Sequence, residues 1–133
     1  MTSATIAFAL PPTAGTFYVR LFNDFYNLVA TSGTITTTVA TLTPSATVIG
    51  VGGAVTVSIA NAPGTPGDWA GLYDASGNAV QWQFLDGTQT MPAAGVTSAT
   101  LTFTMPTTPG TYQIRLFNGS YLPIAVSAPL SVN

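Results

Sequence analysis

The side chains that could do acid–base or ionic chemistry are few, because the chain has no Lys, Glu, His or Cys. Its charged residues are Arg20, Asp24, Asp68, Asp74, Asp86 and Arg115. This inventory excludes a Ser–His–Asp triad, a cysteine nucleophile, a Schiff-base lysine and an ordinary zinc site. Two arginines cannot form a phosphate-binding face, which argues against nucleic acid as a partner. We therefore expect a protein that is not an enzyme and carries no cofactor.

The aspartates are the remaining acid–base candidates. Glycoside hydrolysis needs two carboxyl groups that face each other across a cleft. Here the aspartates fall in predicted turns or at strand ends, where Asp commonly bonds its own backbone. Calcium is a second option, because Asp74, Ser76 and Asn78 carry alternating oxygen side chains. The glycine at position 77 is misplaced for an EF-hand loop and no bidentate Glu follows, so turn formation is the favoured interpretation.

Aromatic residues concentrate on two predicted neighbouring strands. They are Trp69, Tyr73, Trp82 and Phe84. Rings of this kind can stack on sugars, and Asn78, Gln81 and Gln83 could then bind sugar hydroxyls. The competing interpretation is core packing, because Trp82 alternates in phase with Val80 and Phe84. Core packing is favoured, and a carbohydrate ligand is the alternative.

An internal repeat organises the chain. Residues 3–38 align without a gap onto residues 98–133, an offset of 95, and 15 of these 36 positions are identical. The clearest part joins residues 15–23 to residues 110–118. We therefore predict two regions. Residues 39–133 form one complete unit, and residues 1–38 form a partial copy that holds the last three strands of such a unit.

Alternation of apolar and polar residues predicts an all-β chain. The alternation predicts apolar rows towards a core at Val55, Val57 and Ile59, at Leu101, Phe103 and Met105, and at Tyr112, Ile114 and Leu116. Val80, Trp82 and Phe84 alternate with Gln81 and Gln83 and are predicted to form a further such row. The complete unit is expected to have seven strands, at residues 41–49, 55–60, 69–74, 79–84, 99–105, 111–117 and 121–132. The partial copy adds expected strands at residues 4–10, 16–22 and 26–37.

The composition favours association. Hydrophobic residues make up 47% of the chain, whereas charged residues make up 5% and the net charge is −2. An ordinary soluble domain is about 25% charged, and a surface this poor in charge is poorly soluble alone. We expect neighbouring copies or flanking domains to cover much of it. The N-terminus does not look like a signal peptide, and no segment has the length of a membrane helix, so we expect no membrane insertion.

Residues 68–73 and 110–117 resemble motifs of bacterial immunoglobulin-like or fibronectin-III-like tandem modules, which often read DWxGLY and GxYxxRLF. The resemblance covers residues 41–133, and its second half covers residues 4–37. It implies an immunoglobulin-like β-sandwich of about seven strands, with Trp69 in the core. It also implies a spacer, stalk or adhesive role in an extracellular, cell-surface or virion protein.

The repeat places its two arginines, Arg20 and Arg115, at equivalent strand positions. In the fold that the resemblance implies, the sixth strand neighbours the third. We therefore expect Arg115 to meet Asp68, Asp74 or the ring face of Trp69 across the two strands. The alternative is a solvated side chain.

The partial copy has apolar rows with no second sheet of its own to face. The candidate assembly residues in these rows are Ile6, Phe8, Leu10, Phe17, Val19, Leu21 and Ile35. Left bare, they would expose more apolar surface than a soluble monomer tolerates. We predict that residues 4–37 form strands and pack against another chain, by strand exchange or sheet-on-sheet contact, within a homomeric surface filament, fibre or virion component. The alternative is a carbohydrate-binding or adhesive module of a larger extracellular protein.

Overall fold

A computed structural model describes residues 2–11 and 14–133. The described residues form strands and turns and contain no helix, which confirms the predicted all-β fold class. The chain divides into a first compact unit that ends at Val39 and a second compact unit from Ala40 to Asn133.

The strands are numbered in chain order. Those of the first unit are β1 (Gly15–Phe17), β2 (Arg20–Phe22), β3 (Leu28–Thr31) and β4 (Ile35–Thr37). Those of the second unit are β5 (Thr41–Pro44), β6 (Val48–Ile49), β7 (Ala54–Ala60), β8 (Trp69–Asp74), β9 (Ala79–Phe84), β10 (Ala99–Thr104), β11 (Gly110–Phe117), β12 (Pro123–Val126) and β13 (Leu130–Val132). The predicted strand at residues 121–132 is divided into β12 and β13. Pro129 lies between them and has no N–H to donate to a ladder.

The second unit contains two sheets around one core. A three-stranded sheet has the order β10–β7–β5. A six-stranded sheet has the order β6–β13–β11–β8–β9, and β12 also pairs with β11. The central strand β11 pairs with β8 along one side and with β12 and β13 along the other. This arrangement places β9, β8 and β11 side by side.

Period-two alternation builds the core of the second unit. Val55, Val57 and Ile59 of β7 are at most 2% exposed, and the residues between them are exposed. Leu72 of β8 and Ile114 of β11 are completely buried and face them from the other sheet. The rows predicted for β7, β10 and β11 are therefore correct, because each of these strands has one buried face.

The two faces of strand β9 are reversed relative to the prediction, so the row predicted to face the core lies outside. Gln81 lies opposite the buried Leu72 in the β8–β9 register, and Trp82 lies opposite Gly71. The two glutamines point to the inner side and reach the edge strand of the other sheet. Gln83 Nε2 donates to Thr102 O at 2.8 Å, and Gln81 Oε1 accepts from Thr104 N at 3.3 Å. The apolar row of β9 therefore lies on the outer face.

The first unit lacks one of the three strands predicted for it. Residues 4–10 form no strand, although their repeat counterparts at 99–105 include β10. In the second unit β10 is held by β7, and the first unit has no counterpart of β7 among its described residues. An extended segment without a ladder partner leaves its backbone groups to water, so the predicted strand is absent. The predicted strands 16–22 and 26–37 are each divided in two.

The pairing of the first unit recurs in the second at the same offset of 95 residues. The pairs Arg20↔Thr31 and Leu21↔Ala30 correspond to Arg115↔Val126 and Leu116↔Ala125. The pair Gly15↔Thr37 corresponds to Gly110↔Val132. A register shift also follows Leu21 in one unit and Leu116 in the other. The first unit therefore has the strand pairing of β11 with β12 and β13.

Candidate functional site

Strands β8, β9 and β11 present an aromatic outer face. Ala70 and Leu72 are completely buried, so their neighbours Trp69 and Tyr73 point to the opposite side of β8. We define the aromatic face as the side chains of Trp69, Tyr73, Trp82, Phe84, Phe117 and Tyr121. The prediction that Trp69 and Trp82 pack in the core is wrong, because the phase of β8 is set by Ala70 and Leu72.

The rings of the aromatic face contact one another through Trp69. Its ring stacks on Phe117 with centroids 4.5 Å apart and an angle of 15° between planes. It meets Trp82 edge-on at 6.2 Å and Tyr121 edge-on at 5.6 Å. These offset and edge arrangements are the favoured geometries for aromatic pairs. Trp69 is therefore half-buried by other rings, whereas Trp82 remains 37% exposed and Tyr121 76% exposed.

Gly71 makes this ring packing possible. A Cβ atom at this position would lie 2.8 Å from Cε2 of Tyr73 and 3.2 Å from Cζ3 of Trp69. The two rings therefore close over the backbone of β8, where any other residue would displace them. Phe117 and Tyr121 were absent from the predicted cluster. The pairing of β11 with β8, which places Phe117 opposite Trp69, is the signal that includes Phe117.

A groove of about 390 Å³ lies on this face. Its lining includes Trp69, Tyr73, Trp82 and Tyr121, together with the side chain of Met91. The glutamines expected to bind sugar hydroxyls point away from it and bond the other sheet. The groove is therefore mainly apolar, and the tyrosines carry its hydroxyl groups.

Arg115 has a partner on β8, but it is not one of the three expected. Its guanidinium carbon lies 4.7 Å from the centroid of the Tyr73 ring. Arg115 pairs directly with Gly71, so its side chain reaches diagonally over the space that this glycine leaves. A cation over an aromatic face at this distance is attracted by the ring quadrupole. The prediction of Asp68, Asp74 or Trp69 as the partner is therefore wrong, although the contact lies on the expected strand.

The described carboxylates of the second unit form turns. Asp68 is 1% exposed and accepts from the N–H groups of Gly64 and Thr65 at 2.9 and 3.0 Å, and from the Thr65 hydroxyl. Asp86 accepts from Thr88 N at 2.9 Å. Within residues 2–11 and 14–133, no three His, Cys, Asp or Glu side chains are close enough to hold a metal ion.

Asp74 accepts three hydrogen bonds in its turn. They come from Ser76 N, Asn78 N and Asn78 Nδ2, at 2.9, 2.9 and 3.0 Å. The bonds from Asn78 are the main cause that lowers the pKa of the Asp74 carboxyl below its ordinary value. Donors already surround the carboxylate oxygens, as in a hydrogen-bonded Asx turn.

The first unit has an open edge, which we define as the side of residues 17–22 that faces away from β3 and β4. In the second unit, the corresponding side of β11 pairs with β8 over six residues. Among the described residues, no strand pairs with the open edge. Tyr18, Leu21 and Phe22 beside it are 53%, 58% and 48% exposed. Unpaired backbone groups of this kind recruit further strands.

The predicted assembly residues differ in exposure. Ile6, Phe8 and Leu10 are 68%, 59% and 45% exposed, and Leu21 is exposed as well. Phe17, Val19 and Ile35 are half-buried. The set therefore retains a large apolar surface that the described residues of the first unit do not cover.

No family model matches the chain, and no curated protein matches it significantly. Within the described residues, no helix has the length and apolar character needed to cross a membrane.

Proposed function

We propose that the protein is a non-enzymatic structural building block that assembles with copies of itself through its first unit. The observation that carries this proposal is the exposed apolar surface of that unit, at Ile6, Phe8, Leu10 and Leu21. A complete sandwich would cover these side chains with a second sheet, as β7 and β10 cover the inner side of β11 in the second unit. Another copy can supply the missing cover by sheet-on-sheet contact.

Covering these side chains favours association. Phe8 and Leu21 are each a little more than half exposed, so covering them contributes about 1–2 kcal/mol each. Ile6 and Leu10 add similar amounts. A surface with 5% charged residues offers little electrostatic repulsion against such contact. The exposed apolar surface of the first unit is therefore suited to a homomeric surface filament, fibre or virion component.

We also propose that both units are immunoglobulin-like. The hydroxyl of Tyr112, at the start of β11, donates to Thr108 O at 2.9 Å. A tyrosine at this place that bonds a backbone carbonyl a few residues upstream is typical of immunoglobulin-like sandwiches. The common register of the two units supports an origin as tandem modules.

Hydrodynamic size tests the assembly proposal. The full chain is expected to sediment well above 13.6 kDa, and a chain without residues 1–38 is expected to be monomeric. The double variant Phe8→Ser/Leu21→Ser should dissociate in the same way. The matched control is Val48→Ser, which removes a side chain of similar exposure (63%) from the second unit. An unchanged assembly after the deletion would reject the proposal.

The aromatic face supports a second candidate, a carbohydrate-binding or adhesive module. Trp82 is exposed beside a groove of about 390 Å³, and a ring in this position can stack on a sugar. Retention on polysaccharide columns, compared between the chain and Trp82→Ala, tests this candidate. If the chain is retained and Trp82→Ala is not, the result favours carbohydrate binding. If both proteins elute at the same position from every column, this candidate function is rejected.

A further inference from the structure

We propose that the open edge of the first unit is a docking site for an extended segment of a partner polypeptide that resembles β8, with the pattern Trp-x-Gly-x-Tyr. This inference goes beyond the proposed function. Copies of the chain cover the apolar face of the first unit, whereas the partner segment adds a strand to its edge. Such strand addition combines backbone pairing with side-chain specificity.

The backbone of the open edge is available for pairing. Val19 N donates to Ser32 Oγ at 3.0 Å, and Val19 O accepts from Ser32 N at 2.8 Å. Because backbone groups alternate along a strand, Tyr18 and Arg20 direct their N–H and C=O groups to the other side. Ile114 makes the same two bonds with Ser127, at 3.0 and 2.8 Å. The other side of that strand is where β8 pairs.

Three side chains of the first unit repeat the anchors that hold β8. In the second unit, Arg115 lies over Tyr73, and the rings of Phe117 and Tyr121 contact Trp69. The counterparts at the offset of 95 are Arg20, Phe22 and Tyr26, with identical residue types. Phe22 is 48% exposed and Tyr26 is 89% exposed. The anchors are therefore present beside the edge, and the described residues of the first unit do not cover them.

Tyr26 is held in position before any partner binds. Its φ is 58°, and that of Tyr121 is 61°, in the left-handed region that residues other than glycine rarely adopt. In the first unit, Asn23 Oδ1 fixes this turn by accepting from Phe25 N and Asn27 N, both at 3.0 Å. In the second unit, Asn118 Oδ1 accepts from Ser120 N and Leu122 N. A preformed turn lowers the entropic cost of docking.

The repeat predicts the register and a glycine requirement. Subtracting 95 from the β11–β8 pairs places Phe22 opposite the tryptophan of the docked segment and Arg20 opposite its glycine. In β8 this glycine leaves room for two rings, since a Cβ would lie 2.8 Å from the Tyr73 ring. The tyrosine of the docked segment would then lie beneath Arg20.

Copies of this chain cannot fill the edge completely by exchanging strands. Each chain carries two β11-like regions, residues 15–22 and β11 itself, and its β8 already pairs with β11. Transferring β8 from one copy to the first unit of another leaves the donor's β11 uncovered. The number of open edges is unchanged, so the partner is a polypeptide whose β8-like segment is unpaired.

A labelled synthetic peptide of residues 67–75 tests the docking site on the full chain. We expect saturable binding in a fluorescence anisotropy titration. Trp69→Ala or Gly71→Val in the peptide should weaken binding at least about tenfold, because each disturbs the ring contacts. In the chain, Arg20→Gln should weaken binding about two- to fivefold, which corresponds to an exposed cation–π contact. The matched control is Arg115→Gln, where the site is already filled, and it should leave binding unchanged.

Tyr18→Pro provides a backbone test, because proline removes the N–H that points to the open edge and keeps the bonds of Val19. This variant should abolish peptide binding. Absence of saturable binding, or binding that Arg20→Gln and Tyr18→Pro leave unchanged, would overturn the proposal. Equal losses from Arg20→Gln and Arg115→Gln would also overturn it. Peptide binding to a monomeric chain would support the docking site and reject homomeric assembly, whereas an assembled chain that ignores the peptide would do the reverse.

Discussion

Replacing Tyr112 by phenylalanine removes one hydrogen bond from the core of the second unit and little else. The Tyr112 side chain is 6% exposed, and its hydroxyl donates to Thr108 O at 2.9 Å. Phenylalanine keeps the ring, so the apolar packing is retained. The substitution therefore isolates the contact on which the immunoglobulin-like assignment depends.

The size of the destabilisation depends on the surroundings of the acceptor, Thr108 O. A neutral hydrogen bond contributes about 0.5–1.5 kcal/mol net, and leaving a buried acceptor unsatisfied costs more. Thr108 is exposed, so water can bond its carbonyl once the hydroxyl is gone. We expect Tyr112→Phe to lower the free energy of unfolding by about 1 kcal/mol. For a unit of this size that corresponds to a melting temperature lower by roughly 5 °C.

Tryptophan fluorescence during urea unfolding measures this effect selectively. Both tryptophans, Trp69 and Trp82, belong to the second unit. The urea midpoint should fall while the slope stays constant, since the surface exposed on unfolding does not change. The control is Tyr121→Phe, because Tyr121 is 76% exposed and its hydroxyl should contribute less than about 0.5 kcal/mol. Equal midpoints for Tyr112→Phe and the unchanged chain would refute the reasoning.

Three further substitutions should have distinct effects on the second unit. Asp68→Ala removes the buried acceptor of two backbone N–H groups and should lower the free energy of unfolding by about 3 kcal/mol, measured by the same urea titration. Gly71→Ala forces a Cβ against the Tyr73 ring and should cost about 1–3 kcal/mol and shift the near-ultraviolet circular dichroism of the aromatic face. The folded state lowers the pKa of Asp74, so the stability it adds is present above pH 3.8 and is lost as the pH falls through the folded-state pKa. Asp74→Asn should therefore flatten the dependence of the urea midpoint on pH in the acid range.

Each of these expectations has an outcome that contradicts it. A stable Asp68→Ala variant would mean that the loop at residues 64–67 does not depend on this carboxylate. Unchanged circular dichroism in Gly71→Ala would mean that the rings do not close over β8. An acid dependence that Asp74→Asn leaves intact would assign it to other carboxyl groups.

The sequence predicted strand positions and faces best for strands that have one buried face and one solvent-exposed face. The strands at residues 69–74 and 79–84 lie at their predicted positions. The apolar rows of β7 and β11 point inward as predicted, because serine, threonine or arginine alternates with their aliphatic residues. Period-two alternation is then a direct record of which face meets water.

The same signal failed for β9, because both faces of this strand carry uncharged residues, and the core position that the resemblance implied for Trp69 of β8 is wrong as well. In β9 the larger apolar row, with Trp82 and Phe84, lies outside, while Gln81 and Gln83 bond the backbone of β10. Alternation alone identifies two rows but cannot say which one meets the second sheet. Neither the aromatic face nor the contact between Arg115 and Tyr73 could therefore be deduced from spacing.

The sequence by itself determined the all-β class, most strand positions and the offset of 95 that relates residues 3–38 to residues 98–133. These properties depend on local alternation and on direct comparison of residues. Only the tertiary structure decided which side of each mixed strand is buried and that residues 4–10 form no strand. The physical reason is that a segment forms a strand only where a neighbouring strand can pair with its backbone. Residues 99–104 pair with β7, whereas no strand among the described residues pairs with residues 4–10.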